Sequence, residues 1–130
     1  IKTFSPRFQS EPPLEMVAVA DAPTSTRGST VKGREVWTKM QCAKCHGDDG
    51  RGWGPAAKTS TNDQGEPSYP FNLTRRDNYR IGHAPEDLYR TLFTGLDGTA
   101  MPSYAEAFAD GEVWELVSYV RSLAGQPGGR

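Results

Sequence analysis

Met40-Gln41-Cys42-Ala43-Lys44-Cys45-His46-Gly47 is the stretch on which the reading of this chain turns. A cysteine thiol can add to a haem vinyl group and form a thioether. Two residues between the cysteines, on a turn of helix, set both sulfurs at the spacing of the two vinyls. The next residue, His46, then falls under the iron and offers its imidazole. Cys-x-x-Cys-His is the signature of this covalent attachment. Three other readings stand beside it. A thioredoxin-like redox pair requires a βαβ setting. A structural zinc site requires four ligands, which Cys42, Cys45, His46 and His83 could supply. A disulfide between Cys42 and Cys45 would close too short a loop to stabilise much.

Composition suits a protein built around such a group. The chain has 130 residues, 35% of them hydrophobic, with 14 Gly and 10 Pro. That is one domain's length with a thin apolar supply, and small domains gain from a metal or a buried cofactor. The net charge of −1 gives no sign of nucleic-acid binding. Charge is unevenly spread, with +2 over residues 1–41, +1 over 42–80 and −4 over 81–130. Such asymmetry can orient docking, and it is also what a solvated surface carries by chance. No stretch approaches the ~20 apolar residues of a membrane span. The first residue is Ile1, which suggests a processed or excised chain from which an anchor could have been removed.

Around the attachment stretch the pattern is helical. Residues 1–29, with Pro6, Pro12, Pro13 and Pro23, read as an extended N-terminal arm or linker, in which Leu14, Met16, Val17 and Val19 could pin the chain to the domain. Residues 30–124 read as the haem domain and 125–130 as a flexible C-terminal tail. A first helix is expected from Ser29 or Thr30, carrying Val36, Trp37 and Met40 on one stripe, with Gly33 one turn before Trp37. Residues 47–84 are mostly loop. A helix is expected over residues 85–94, with Pro85 in its first turn and Gly95 as its stop. The last runs over residues 112–123, capped by Asp110, with Val113, Leu116, Val117, Val120 and Leu123 at helical spacing. No alternating run predicts a sheet. The fold class expected is all-α, with three to five short helices and long loops around one covalent haem.

A six-coordinate iron needs a second axial group, and Met101, His83, Met40 and Met16 are the candidates. Met101 is favoured because it sits in Gly95-Leu96-Asp97-Gly98-Thr99-Ala100-Met101-Pro102, a glycine-rich loop that can present a thioether from the far side of the ring. The metal ligands expected are therefore His46 and Met101.

On these residues the sequence resembles the class I monohaem cytochrome c family over about residues 30–123. Cys42 to Gly47 is similar to the family's haem-binding site, and residues 98–102 to its distal methionine loop. Gly33 and Trp37 are similar to the glycine–aromatic pair of its first helix, and residues 116–120 to the last helix that crosses it. Gly54-Pro55 is similar to a turn whose proline carbonyl accepts the axial histidine's other N–H, so the resemblance adds Pro55 to the cofactor-binding set. It implies a cytochrome c-like fold, haem c, single-electron transfer without catalysis of its own, and a periplasmic or otherwise exported location. The partners implied are redox proteins or a parent redox complex, of which this chain could be a domain or subunit. The extra length over residues 58–82 departs from the smallest members, and Tyr69-Pro70-Phe71-Asn72-Leu73 could run along a haem edge. Lys44, Arg51 and Lys58 could fringe that edge, and Trp53, Tyr69, Tyr104, Arg75 and Arg76 could bond the propionates. A catalytic haem protein with an open distal position and a haem-free zinc or redox-switch module are the rival functions.

Overall fold

Helix formation begins at Thr26, three residues earlier than expected. In the computed structural model, which describes residues 16–79 and 81–124, Thr26 Oγ1 accepts the Ser29 N–H at 3.1 Å and Ser29 Oγ accepts the Thr26 N–H at 2.8 Å. This reciprocal box satisfies two donors that a helix start leaves orphaned. Helix α1 spans Arg27–Lys39. Ahead of it, half-buried Val17 and Val19 alternate with exposed Met16, Ala18 and Ala20. Leu14 and the rest of the arm to residue 15 lie outside the described residues, as does the expected tail over 125–130.

The end of α1 delivers the attachment stretch. Gln41 takes the left-handed conformation, φ 58°. Its N–H then donates to the Thr38 carbonyl, and the Cys42 N–H reaches back to the Trp37 carbonyl, both at 3.1 Å. This is the Schellman stop, ordinarily built on glycine. A non-glycine residue there costs about 1–2 kcal/mol. The chain turns at once into α2, the single turn Ala43–His46 with Cys42 as its N-cap residue, which places Cys42, Cys45 and His46 on one turn as the spacing requires.

Helix α3 spans Pro85–Thr94 and α4 spans Glu112–Leu123, with the bounds expected from their proline, glycine and periodicity. The cap of α4 is different from expectation. Gly111, not Asp110, is the N-cap residue, and the Glu112 carboxylate accepts the Ala109 N–H at 2.8 Å. A short 3₁₀ turn, Arg76–Asn78, lies in the long loop. Among the described residues there is no strand, only an isolated antiparallel bridge between Thr61 and Pro67.

The core is the crossing of α1 with α4, against which α3 also packs. Val36, Trp37, Val113, Leu116, Val117, Val120 and Leu123 are all buried there. Leu116 and Leu123 are each 1% exposed, a burial worth about 1.5–3 kcal/mol per side chain. Gly33 makes the crossing possible. A Cβ there would overlap the Glu115 backbone carbonyl and lie 2.7 Å from Tyr119 Cβ. The helix-weakening glycine is retained because the helices approach backbone to backbone.

Candidate haem site

Beside this helix pair lies a cavity of about 590 Å³, within the ~300–1,000 Å³ range of cofactor pockets. Its walls are mainly apolar, from Leu73, Leu88, Leu92, Leu96, Leu116 and Val120, and Trp37, Phe71 and Tyr79 add rings. Cys42, His46 and Met101, far apart in sequence, all line it. Cys45 is half-buried beside them, its Sγ 3.9 Å from Ser60 Oγ. His83 is exposed and is not part of the lining. Met40 packs at the edge of the core, and Met16 is 89% exposed.

Burial lowers the pKa of His46, opposed by its hydrogen bond to a backbone carbonyl. That carbonyl belongs to Phe71, 3.1 Å from Nδ1. A carbonyl only accepts, so Nδ1 carries the hydrogen and Nε2 keeps its lone pair for a metal. Such a partner also fixes the ring and raises its basicity. This corrects the assignment of Pro55. Pro55 is exposed, and its turn braces the attachment backbone instead: Gly54 N–H donates to the Cys45 carbonyl at 3.0 Å and Ala56 N–H to the Lys44 carbonyl at 2.8 Å. The Phe71 carbonyl reaches His46 because Leu73 N–H donates to the Gly50 carbonyl at 2.7 Å, and Asn72 Oδ1 accepts from both Thr74 N–H and Thr74 Oγ1. Tyr79 O–H donates to the Leu73 carbonyl, and its ring meets Phe71 edge-on. A backbone acceptor leaves no residue-type signature in the sequence. Of residues 69–73, expected along a haem edge, Phe71 and Leu73 line the cavity.

Burial, the dominant cause, pushes the Cys42 thiol up to about 11. An attacking thiol in disulfide exchange needs the opposite shift, so Cys42 is not activated for that role. The zinc reading fails on geometry, since among the described residues no group of three or more His, Cys, Asp or Glu side chains could hold a metal ion. A haem fits the residues present. The Cys42 thiol, the His46 imidazole and the Met101 thioether converge on one apolar cavity, with the second thiol, Cys45, half-buried three residues after Cys42. Trp37, 4% exposed on its wall, holds a buried indole N–H with no partner among the described residues. Its ring lies 5.9 Å from His46 and 5.5 Å from Tyr119.

A family model described as cytochrome c oxidase, cbb3-type, subunit III matches residues 28–120. The chain belongs to this family of c-type cytochromes. Its fold is the all-α cytochrome c fold, its cofactor is haem c and its function is electron transfer. Among solved structures, the cytochrome is similar to a chain of the reducing HAO-like protein complex of Kuenenia stuttgartiensis, with 39% identity and a TM-score of 0.86. The match covers 94% of this chain and 56% of that one, so the cytochrome spans little more than half of its structural relative. No curated protein matches the sequence.

The expected propionate partners are placed elsewhere. None of Trp53, Tyr69, Tyr104, Arg75 and Arg76 lines the cavity. Trp53 and Tyr69 are 78% and 74% exposed, and the Arg76 guanidinium donates to the Arg121 carbonyl at 3.0 Å. Tyr104 has its pKa raised by burial and then by negative charge on Cys42 and Cys45, which puts it on the cysteine side. Lys44, Arg51 and Lys58 are exposed, and Arg51 pairs with Asp49 at 3.2 Å. No helix among the described residues is long and apolar enough to cross a membrane.

Proposed function

We propose that this cytochrome shuttles single electrons between protein partners on the outer face of an energy-transducing membrane, with His46 and Met101 as the axial ligands, and that it has no catalytic activity of its own. The observation that carries the reading is the convergence of Cys42, His46 and Met101 on one apolar cavity. Bound there, haem supplies an iron that gains and loses one electron.

The chain's own residues set the terms of that exchange. Cys42 and Cys45 would hold the macrocycle by thioether bonds. His46, oriented by the Phe71 carbonyl, offers Nε2. The soft thioether of Met101 favours the ferrous state and so raises the potential. Apolar walls work in the same direction by disfavouring the extra positive charge of the oxidised site. The exposed position of His83 supports a carrier over a peroxidase-like enzyme, which would need an acid–base group facing the iron. A place within a larger redox assembly is supported by the likeness to a chain of a protein complex.

Met101→Ala tests the ligand assignment. The ferric protein loses its weak far-red sulfur–iron band, the reduced protein gains carbon monoxide binding, and the midpoint potential falls by on the order of 0.2 V, within the ~0.8 V that axial ligands command. Full retention of the band would exclude Met101. Location is tested by fractionating the native host, where the haem-stained protein is expected in the exported fraction and its recovery from the cytoplasm would refute the placement.

A further inference from the structure

The loop that carries Met101 is almost self-contained. Leu96 N–H donates to the Met101 carbonyl and Thr99 N–H to the Leu96 carbonyl, both at 3.1 Å. Thr99 Oγ1 donates to the Leu96 carbonyl at 2.8 Å and accepts the Met101 N–H at 3.1 Å. Within residues 96–101, one hydrogen bond among the described residues reaches another part of the chain. It runs from the Ala100 N–H to Ser68 Oγ at 3.1 Å, across 32 positions of sequence.

Ser68 belongs to a small hairpin in the extra loop. The Thr61–Pro67 bridge closes it, and at its base Ser68 N–H donates to the Ser60 carbonyl at 2.9 Å. At its tip Asn62 Oδ1 accepts from Gln64 N–H at 3.0 Å and Glu66 N–H at 2.8 Å. The other residue of the base, Ser60, donates its hydroxyl to the Ala56 carbonyl at 2.8 Å and lies 3.9 Å from Cys45 Sγ. One rigid residue pair therefore touches the attachment turn on one side and the methionine loop on the other.

Building on the assignment of Met101 as axial ligand, we infer that Ser68 is a positioning residue for that ligand: through the Ala100 N–H it ties the methionine loop to the Cys45 side and holds the thioether in place. Among the described residues the other hydrogen bonds that anchor the loop lie at its ends, where Gly95 N–H donates to the Thr91 carbonyl, the Ser103 hydroxyl to the Phe93 carbonyl and Tyr104 N–H to the Leu92 carbonyl. Without the Ser68 hydroxyl its middle is free to swing, and the thioether leaves the iron more often. An external ligand binds the ferric iron only when the thioether is away, so its apparent affinity reports the fraction of open loop.

The test is an imidazole titration of the haem-loaded ferric protein. Ser68→Ala is expected to raise imidazole affinity about three- to tenfold, the worth of one hydrogen bond. Ser68→Thr, which keeps the hydroxyl, stays within about twofold of the parent. Lys39→Ala, which removes a remote ion pair with Glu112, leaves the affinity unchanged although stability falls. Equal affinities for Ser68→Ala and the parent would overturn the inference, as would a rise in Ser68→Thr as large as in Ser68→Ala. Amide hydrogen exchange on the unmodified protein gives a check that needs no variant. The Ala100 N–H is expected to be protected, and an unprotected one sinks the proposal. A parent protein without the sulfur–iron band would refute Met101 ligation and this role together, whereas a parent with the band and an indifferent Ser68→Ala refutes this role alone.

Discussion

Gly33→Ala should destabilise the cytochrome although alanine is the better helix former. A methyl at Gly33 would lie 2.7 Å from both the Glu115 carbonyl carbon and Tyr119 Cβ. Carbon atoms pack comfortably at about 3.5–4.0 Å, and the Glu115 carbonyl oxygen would lie closer still, so α1 and α4 must separate by at least about 1 Å. None of these obstructing atoms is the free end of a flexible side chain. Overpacking a tight core costs about 1–3 kcal/mol, and here the rigid partners put the cost at the upper end. The gain in helix propensity returns about 1 kcal/mol. The net loss is therefore about 2 kcal/mol, which for a domain of ~100 residues lowers Tm by about 8–16 °C. Guanidinium unfolding of the haem-loaded protein, followed by far-UV circular dichroism, should show a lower midpoint with unchanged slope. A variant as stable as the parent would mean that the helices do not cross at Gly33.

Three further outcomes are expected. Gln41→Gly relieves the left-handed strain at the end of α1 and should stabilise by about 0.5–1 kcal/mol in the same assay, after the entropic cost of glycine; a destabilised variant would mean that the Gln41 side chain supports the turn. Glu112 has its pKa held below the ordinary 4.5 by the hydrogen bond from Lys39 and the Ala109 N–H. Its contribution is present at neutral pH and is lost as pH falls below 4.5 through the folded value, so Glu112→Gln is less stable than the parent at pH 7 and the two converge in acid. Tyr79 is pushed up to about 12, mainly by burial. Its support is complete below pH 10, the unfolded value, and is lost between 10 and 12. Tyr79→Phe, which leaves the Leu73 carbonyl without this donor, should cost about 1–2 kcal/mol at pH 7, and the gap should narrow above pH 10.

Much of this was legible in the residues because it is local. The cysteine spacing, Pro85 and Gly95 around α3, and the apolar period of α4 each act within a few positions. The start of α1 is less legible, because its capping box uses Ser29 where a glutamate or glutamine is the usual signal. Asp110 has the right chemistry for a cap of α4, yet the carboxylate is supplied by Glu112 at the first helical position. The acceptor for His46 was missed for a different reason. A backbone carbonyl is offered by every residue, and only the long-range path of residues 70–73 beside Gly50 selects Phe71. The bond from Ala100 to Ser68 escaped for the same reason.

A pyridine haemochrome spectrum, taken on protein made in a host that matures c-type cytochromes and then extracted with acidified acetone, puts the central claim to its most direct trial. The account predicts one haem per chain, with the spectrum of a macrocycle saturated at both vinyls and the colour staying with the polypeptide. Colourless protein, or pigment that passes into the acetone, would contradict it.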